Sequence, residues 1–86
     1  MKNKEVYEGE FCNGIKEGEG KYQFKNGDYY VGSWKKGQPN GWGTLYYANG
    51  DKYQGGWIDG KPHGKGILYK KNNIKLYQKY INGKLQ

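Results

Sequence analysis

Few side chains in this chain are able to do chemistry, and their spacing argues against most of the reactions they would serve. Cys12 is the single cysteine and His63 the single histidine among 86 residues. A thiolate nucleophile needs a base or a positive neighbour to activate it, and no histidine stands near Cys12 in sequence. One cysteine closes no internal disulfide, and one Cys with one His supplies no zinc cluster. No metal site and no cofactor are therefore expected, and His63, beside Pro62, is read as a solvated loop residue. The carboxylates Glu8, Glu10, Glu17, Glu19, Asp28, Asp51 and Asp59 fall mostly at alternating positions or in turns. Nothing apolar surrounds them to split their pKa values into an acid and a base. Gly18-Glu19-Gly20, Gly41-Trp42-Gly43 and Gly64-Lys65-Gly66 suggest a phosphate loop, but none runs on as Gly-x-Gly-x-x-Gly into a helix and no Walker lysine spacing follows. The chain is read as non-catalytic.

The lysines are the remaining chemical resource. The sequence has 15 basic residues, every one a Lys, against 8 acids, for a formal charge of +7. Without Arg there is no bidentate group for phosphate or base edges, which argues against nucleic acid as the partner. The charge is uneven: residues 1–29 carry net −1, residues 30–52 net +2 and residues 53–86 net +6. Lys61, Lys65, Lys70, Lys71, Lys75, Lys79 and Lys84 make the last third basic. Their first reading is solubility and protection of an edge strand; the alternative is contact with anionic lipid or an acidic protein surface.

Stepping along the chain at 23 residues brings the same residue types round again. Tyr7, Tyr30 and Tyr53 are so spaced, as are Phe11, Trp34, Trp57 and Tyr80. Gly9/Gly32/Gly55, Gly14/Gly37/Gly60/Gly83, Gly18/Gly41/Gly64 and Gly20/Gly43/Gly66 keep the same step, with Asn26/Asn49/Asn72 in phase. Units therefore run 7–29, 30–52 and 53–75, with a partial capping unit at 76–86 and a lead-in at 1–6, as one array over 7–86. Both halves of a unit alternate with period two, which predicts strands. Lys35–Asn40 is read as a polar turn inside the second unit, and Asn26-Gly27 and Asn49-Gly50 as tight hairpin turns between units. The fold class is all-β: a single-layer antiparallel β-meander solenoid of consecutive β-hairpin repeats, seven strands and roughly 30 Å long at the usual strand spacing.

Such a ribbon has little aliphatic core. It holds 10 Tyr, 3 Trp and 2 Phe beside 16 Gly, and the glycines fall on the same face as the rings. A ring lying flat over the bare backbone of a neighbouring strand accounts for both. With no second sheet to cover it, the aromatic face is expected to stay open and to act as an interaction patch. Its candidate partner-binding residues are Tyr7, Phe11, Tyr30, Trp34, Leu45, Tyr47, Tyr53 and Trp57.

The pattern resembles the membrane occupation and recognition nexus (MORN) repeat, Tyr-x-Gly-x-Trp-x-x-Gly-x-x-x-Gly-x-Gly. Tyr7, Gly9, Phe11, Gly14, Gly18 and Gly20 match it, with their equivalents 23 and 46 positions on. The fourth unit departs, with Leu76 at the Tyr position and Gln78 at a Gly position, as a terminal cap would. The resemblance implies an interaction or membrane-proximal scaffold that accepts an extended or helical peptide along the sheet, or a second copy of itself. It also implies a role beside catalytic domains, since such repeats accompany methyltransferase and lipid-kinase domains. The lysine-rich third gives the alternative, a peripheral module for anionic phospholipid. No apolar run long enough to span a membrane and no signal peptide are read in the sequence, so a cytoplasmic location is expected, with a membrane-peripheral one as the variant.

Overall fold

In the computed structural model, residues 5–86 are described, and every regular element among them is a strand. Residues 1–4 of the expected lead-in lie outside the described residues. The strands are β1 (Val6–Cys12), β2 (Ile15–Gln23), β3 (Tyr29–Lys35), β4 (Gln38–Tyr46), β5 (Lys52–Ile58), β6 (Lys61–Tyr69), β7 (Lys75–Ile81) and β8 (Lys84–Leu85). They form one antiparallel sheet in chain order. The eighth strand, absent from the sequence expectation, is a two-residue return that pairs Leu85 with Tyr80 and Lys84 with Ile81.

Long and short strands alternate for a reason that lies in the turns. The first three odd-numbered strands have 7 residues and their even-numbered partners 9. Gly32 faces Gly43 and Trp34 faces Pro39, so β4 takes four steps where β3 takes two. The surplus is a β-bulge, and the same shift recurs between β1 and β2 and between β5 and β6. Gly41, inside the bulge, has φ of 98°, in the region where a side chain is strained. The two glycines of Gly-x-Gly therefore serve different ends: Gly41 bends the backbone, whereas Gly43 makes room for a ring.

Turn placement differs from the sequence reading. The tight two-residue turns lie inside the units, at Asn13-Gly14, Lys36-Gly37, Asp59-Gly60 and Asn82-Gly83, each with φ positive at both residues, as a type I′ hairpin demands. Lys36 at φ 53° hides this turn from composition, so β4 already starts at Gln38 and runs through Pro39 and Asn40. Between units the connection is longer. Gly50 N–H donates to the Tyr47 carbonyl and Tyr47 N–H to the Asp51 carbonyl, and of the Asn-Gly pair only the glycine has positive φ.

Tyr30, Trp34, Tyr53 and Trp57 form the buried core. They share one face with Gly32, Gly43, Gly55 and Gly66, as alternation along paired strands requires. A Cβ placed on Gly20 would lie 2.6 Å from Cε1 of Tyr7, and one on Gly66 2.7 Å from Cε1 of Tyr53, so the rings do lie over the glycines. Edge-to-face packing links the rings in series: Tyr7 to Trp34 at 5.2 Å, Tyr30 to Trp57 at 5.2 Å and Tyr53 to Tyr80 at 5.4 Å between centroids. Such pairs contribute about 0.5–1.5 kcal/mol each beyond their burial.

Candidate partner-binding groove

The ring face is a trough. Phe24 stands at one end of the strands, Gly37 and Gly60 at the other, and both ends line the same cavities. One cavity, of about 310 Å³, is floored by Tyr30, Leu45 and Trp57; the next, of about 300 Å³, by Tyr22 and Trp34. Phe24, Pro39 and Gly60 belong to both, so the two join end to end. The floor is fixed by hydrogen bonds as well as by packing. Indole Nε1 of Trp34 donates to the Gly20 carbonyl at 3.0 Å and that of Trp57 to the Gly43 carbonyl at 3.2 Å. The Tyr30 hydroxyl donates to the Ser33 carbonyl at 3.0 Å. Burial pushes the Tyr30 phenol well above its ordinary value, with Glu19 adding to the rise.

The eight expected contact residues are thereby sorted. Tyr30, Leu45 and Trp57 line the first cavity and Trp34 the second, while Tyr7, Phe11, Tyr47 and Tyr53 line neither. Four of the eight are core and not open surface: Tyr30 is 1% and Tyr53 2% exposed, and the two tryptophans are also buried. The open aromatic face that the sequence leads one to expect is corrected on this point, because edge-to-face packing sets Tyr30, Trp34, Tyr53 and Trp57 against one another and their neighbours and buries them. Phe11, 60% exposed, lies out at the β1 end. Phe24 and Pro39 were missed. The signal for Phe24 was its 23-residue step to Tyr47, at the same turn position.

A second ladder was missed because its members differ in type. Glu17, Asn40 and His63 occupy equivalent positions, and each accepts the N–H that opens the next tight turn, from Lys36, Asp59 and Asn82 respectively. For His63 the acceptor is Nδ1, at 3.1 Å, which leaves the proton of the neutral ring on Nε2. His63 is thus half-buried on β6 and joined to the capping hairpin, contrary to its reading as a loop residue. Cys12 is an exposed free thiol. Among the described residues no three His, Cys, Asp or Glu side chains converge as a metal site.

Five of the seven lysines of the last third stand on the face opposite the rings. Lys61, Lys65, Lys75, Lys79 and Lys84 occupy strand positions that alternate with the ring positions and so lie on the outer face; Lys70 and Lys71 belong to the β6–β7 connection. No helix long and apolar enough to cross a membrane occurs among the described residues.

A family model for the MORN repeat matches residues 7–29, 30–52 and 53–74, three consecutive units in phase with the three bulged hairpins. The chain belongs to the MORN repeat family. The third MORN unit is matched one residue short of the expected 75, where Asn73 and Ile74 depart from the pattern. Asn73 still takes the left-handed conformation of Gly27 and Gly50, at φ 72°, because Asn accepts it best among residues with a Cβ. MORN repeats are non-catalytic modules found in protein and membrane interactions. A comparison with curated proteins found no match to this chain.

Proposed function

We propose that this MORN array is a non-catalytic docking scaffold that holds an apolar segment of a partner protein in the trough of its ring face. One observation carries the reading: two apolar-floored cavities of about 310 and 300 Å³ that join through Phe24, Pro39 and Gly60. Binding into a floor already locked by packing and hydrogen bonds requires little ordering of the scaffold, which is where affinity is otherwise lost. Each cavity takes one large side chain, and the polar rim of Asn26, Asp28 and Gln38 fixes direction. A segment with anchors spaced to the two cavities satisfies both in an extended or a helical form.

The test is retention of native partners from lysate by the immobilised chain, in ordinary buffer and at about 0.5 M salt, where charges more than roughly 4 Å apart are screened but apolar burial is not. Phe24→Ser/Leu45→Ser, checked for native β signal, should lose the bound protein, and wild type should keep it in salt. Retention by the trough variant together with loss in salt would transfer the activity to the lysines of the outer face. Sedimentation of the chain alone reads out whether a second copy fills the trough.

A further inference from the structure

The outer face holds an arrangement that the trough does not use. Tyr46, Lys52, Tyr69 and Lys75 lie side by side across β4, β5, β6 and β7, each directly opposite the next in register. The Lys52 ammonium stands 5.9 Å from the Tyr46 ring centroid and 5.0 Å from that of Tyr69, and Lys75 stands 5.8 Å from Tyr69. Ring faces hold an ammonium in place without neutralising it. Beside this ledge the connection between β6 and β7 rises as a wall, and the two enclose a cleft of about 560 Å³ that includes Lys70, Lys71 and Asn73.

The electrostatics of this cleft are one-sided. No carboxylate lines it. The nearest, Asp51, is consumed by the wall: its Oδ2 pairs with Lys70 Nζ at 2.9 Å and its Oδ1 accepts the Lys71 N–H at 2.9 Å. That is the one ion pair among the described residues. Most of the other acids whose contacts are resolved are spent on backbone or hydroxyl donors, as with Glu10 on the Glu19 N–H, Glu19 on the Ser33 hydroxyl and Asp28 on the Ala48 N–H. Lys52, Lys71 and Lys75 therefore converge on one cleft with no counter-charge, and Asp51 fixes the wall from behind without reaching into it.

We propose that this cleft is a binding site for a phosphate group of two or more negative charges, carried either on a small soluble molecule or on a headgroup. Three ammonium groups around one concavity match the multiple acceptors of such a group, and the size suits a ligand of a few rings or fewer. The site lies on the face opposite the trough and does not depend on that reading. It also narrows the basic third: of the seven lysines there, only Lys70, Lys71 and Lys75 line the cleft, while Lys52 comes from the unit before.

Titration calorimetry with pyrophosphate, and flotation with phosphatidylcholine vesicles with and without phosphatidic acid, test it on the full chain. Lys52→Gln/Lys75→Gln should weaken binding by about tenfold or more. Lys65→Gln/Lys79→Gln, which removes the same charge from a pair on the same face outside the cleft, should change it less than about threefold. Should the first variant lose its β signal, Lys71→Gln, exposed in the wall, replaces it. This ranking with pyrophosphate assigns a soluble ligand; the same ranking with phosphatidic acid vesicles alone assigns a headgroup. Equal losses in the two double variants, or no binding of either probe by wild type, overturns the proposal.

Discussion

Equivalent residues in a repeat need not be equally satisfied, and the tyrosines show it. Tyr7 and Tyr30 each donate to the carbonyl three residues on, Glu10 at 2.8 Å and Ser33 at 3.0 Å. Tyr53 stands in the same column with Gly56 three residues on, and its buried hydroxyl has no hydrogen-bond partner among the described residues. The two hydroxyls are thus worth opposite amounts. Tyr30→Phe breaks a made bond and should cost about 0.5–1.5 kcal/mol, a fall in Tm of several degrees for a domain of this size. Tyr53→Phe removes a desolvated, unpaired donor and should leave Tm unchanged or raise it. Thermal melts of the two variants decide the matter, and equal losses would show that the Tyr53 hydroxyl is bonded in solution. The phenylalanine ring keeps the cover over Gly43 in the first variant and over Gly66 in the second.

At the scale of the element, coupling between units runs through the turns. Gly37, Gly60 and Gly83 N–H groups donate to the carbonyls of Lys16, Pro39 and Pro62, at 3.0, 2.9 and 2.9 Å. On the opposite side Asp28 reaches the Ala48 N–H and Asp51 the Lys71 N–H. The aspartates' own turns are closed by Asn26 and Asn49, which accept the N–H of Asp28 and Asp51. The carboxylates instead clamp the following turn, and Ile74 stands at the column's end. The hydrogen bond from Lys70 and that from the Lys71 N–H hold the Asp51 carboxyl below its ordinary value, against a smaller opposing effect of burial. Its folded pKa therefore lies under the unfolded value of about 3.9, so its contribution is full above that value and is lost as pH falls through the folded one. Melting curves across acid pH should show Asp51→Asn less stable than wild type near neutrality, with the gap closing on acidification. Parallel curves would mean that Asp51 titrates as if unpaired.

For the molecule as a whole, extents of 39 × 33 × 17 Å describe a thick plate with no second layer, and its stability is a sum of neighbour terms. Trp34 touches Tyr7, Tyr22 and Tyr30 at 5.2, 6.0 and 5.4 Å between centroids and so spans two units. Trp34→Ala should cost about 3–5 kcal/mol, comparable to the whole stability of a small domain, and should lower the single unfolding transition of the entire chain. Phe11→Ala, at an exposed end, should shift it by about 1 kcal/mol or less. Calorimetry reads both; a second transition in Trp34→Ala, with β5–β7 still melting as before, would show that the units fold separately.

The 23-residue phase in the sequence settles the unit, the meander and the pairing of ring with glycine, because each is local: alternation sets the face, and a ring needs bare backbone on the strand beside it. The tight turn was legible at Asn13-Gly14 and Asn82-Gly83 but not in the second unit, since Lys36 adopts a left-handed conformation that composition assigns to Asn or Gly, and the paired strands and bulge impose it. Phe24 was overlooked because its 23-residue column changes type, from Phe24 to Tyr47 to Lys70. Nor could spacing tell that Tyr30, Trp34, Tyr53 and Trp57 would be interior. Their burial depends on which rings meet edge to face across neighbouring units, a pairing made only in three dimensions. The cleft of Lys52, Lys71 and Lys75 is likewise a product of register, which lays Lys52 opposite Tyr69 and Tyr69 opposite Lys75 and so brings two lysines of different units onto one ledge across three strands.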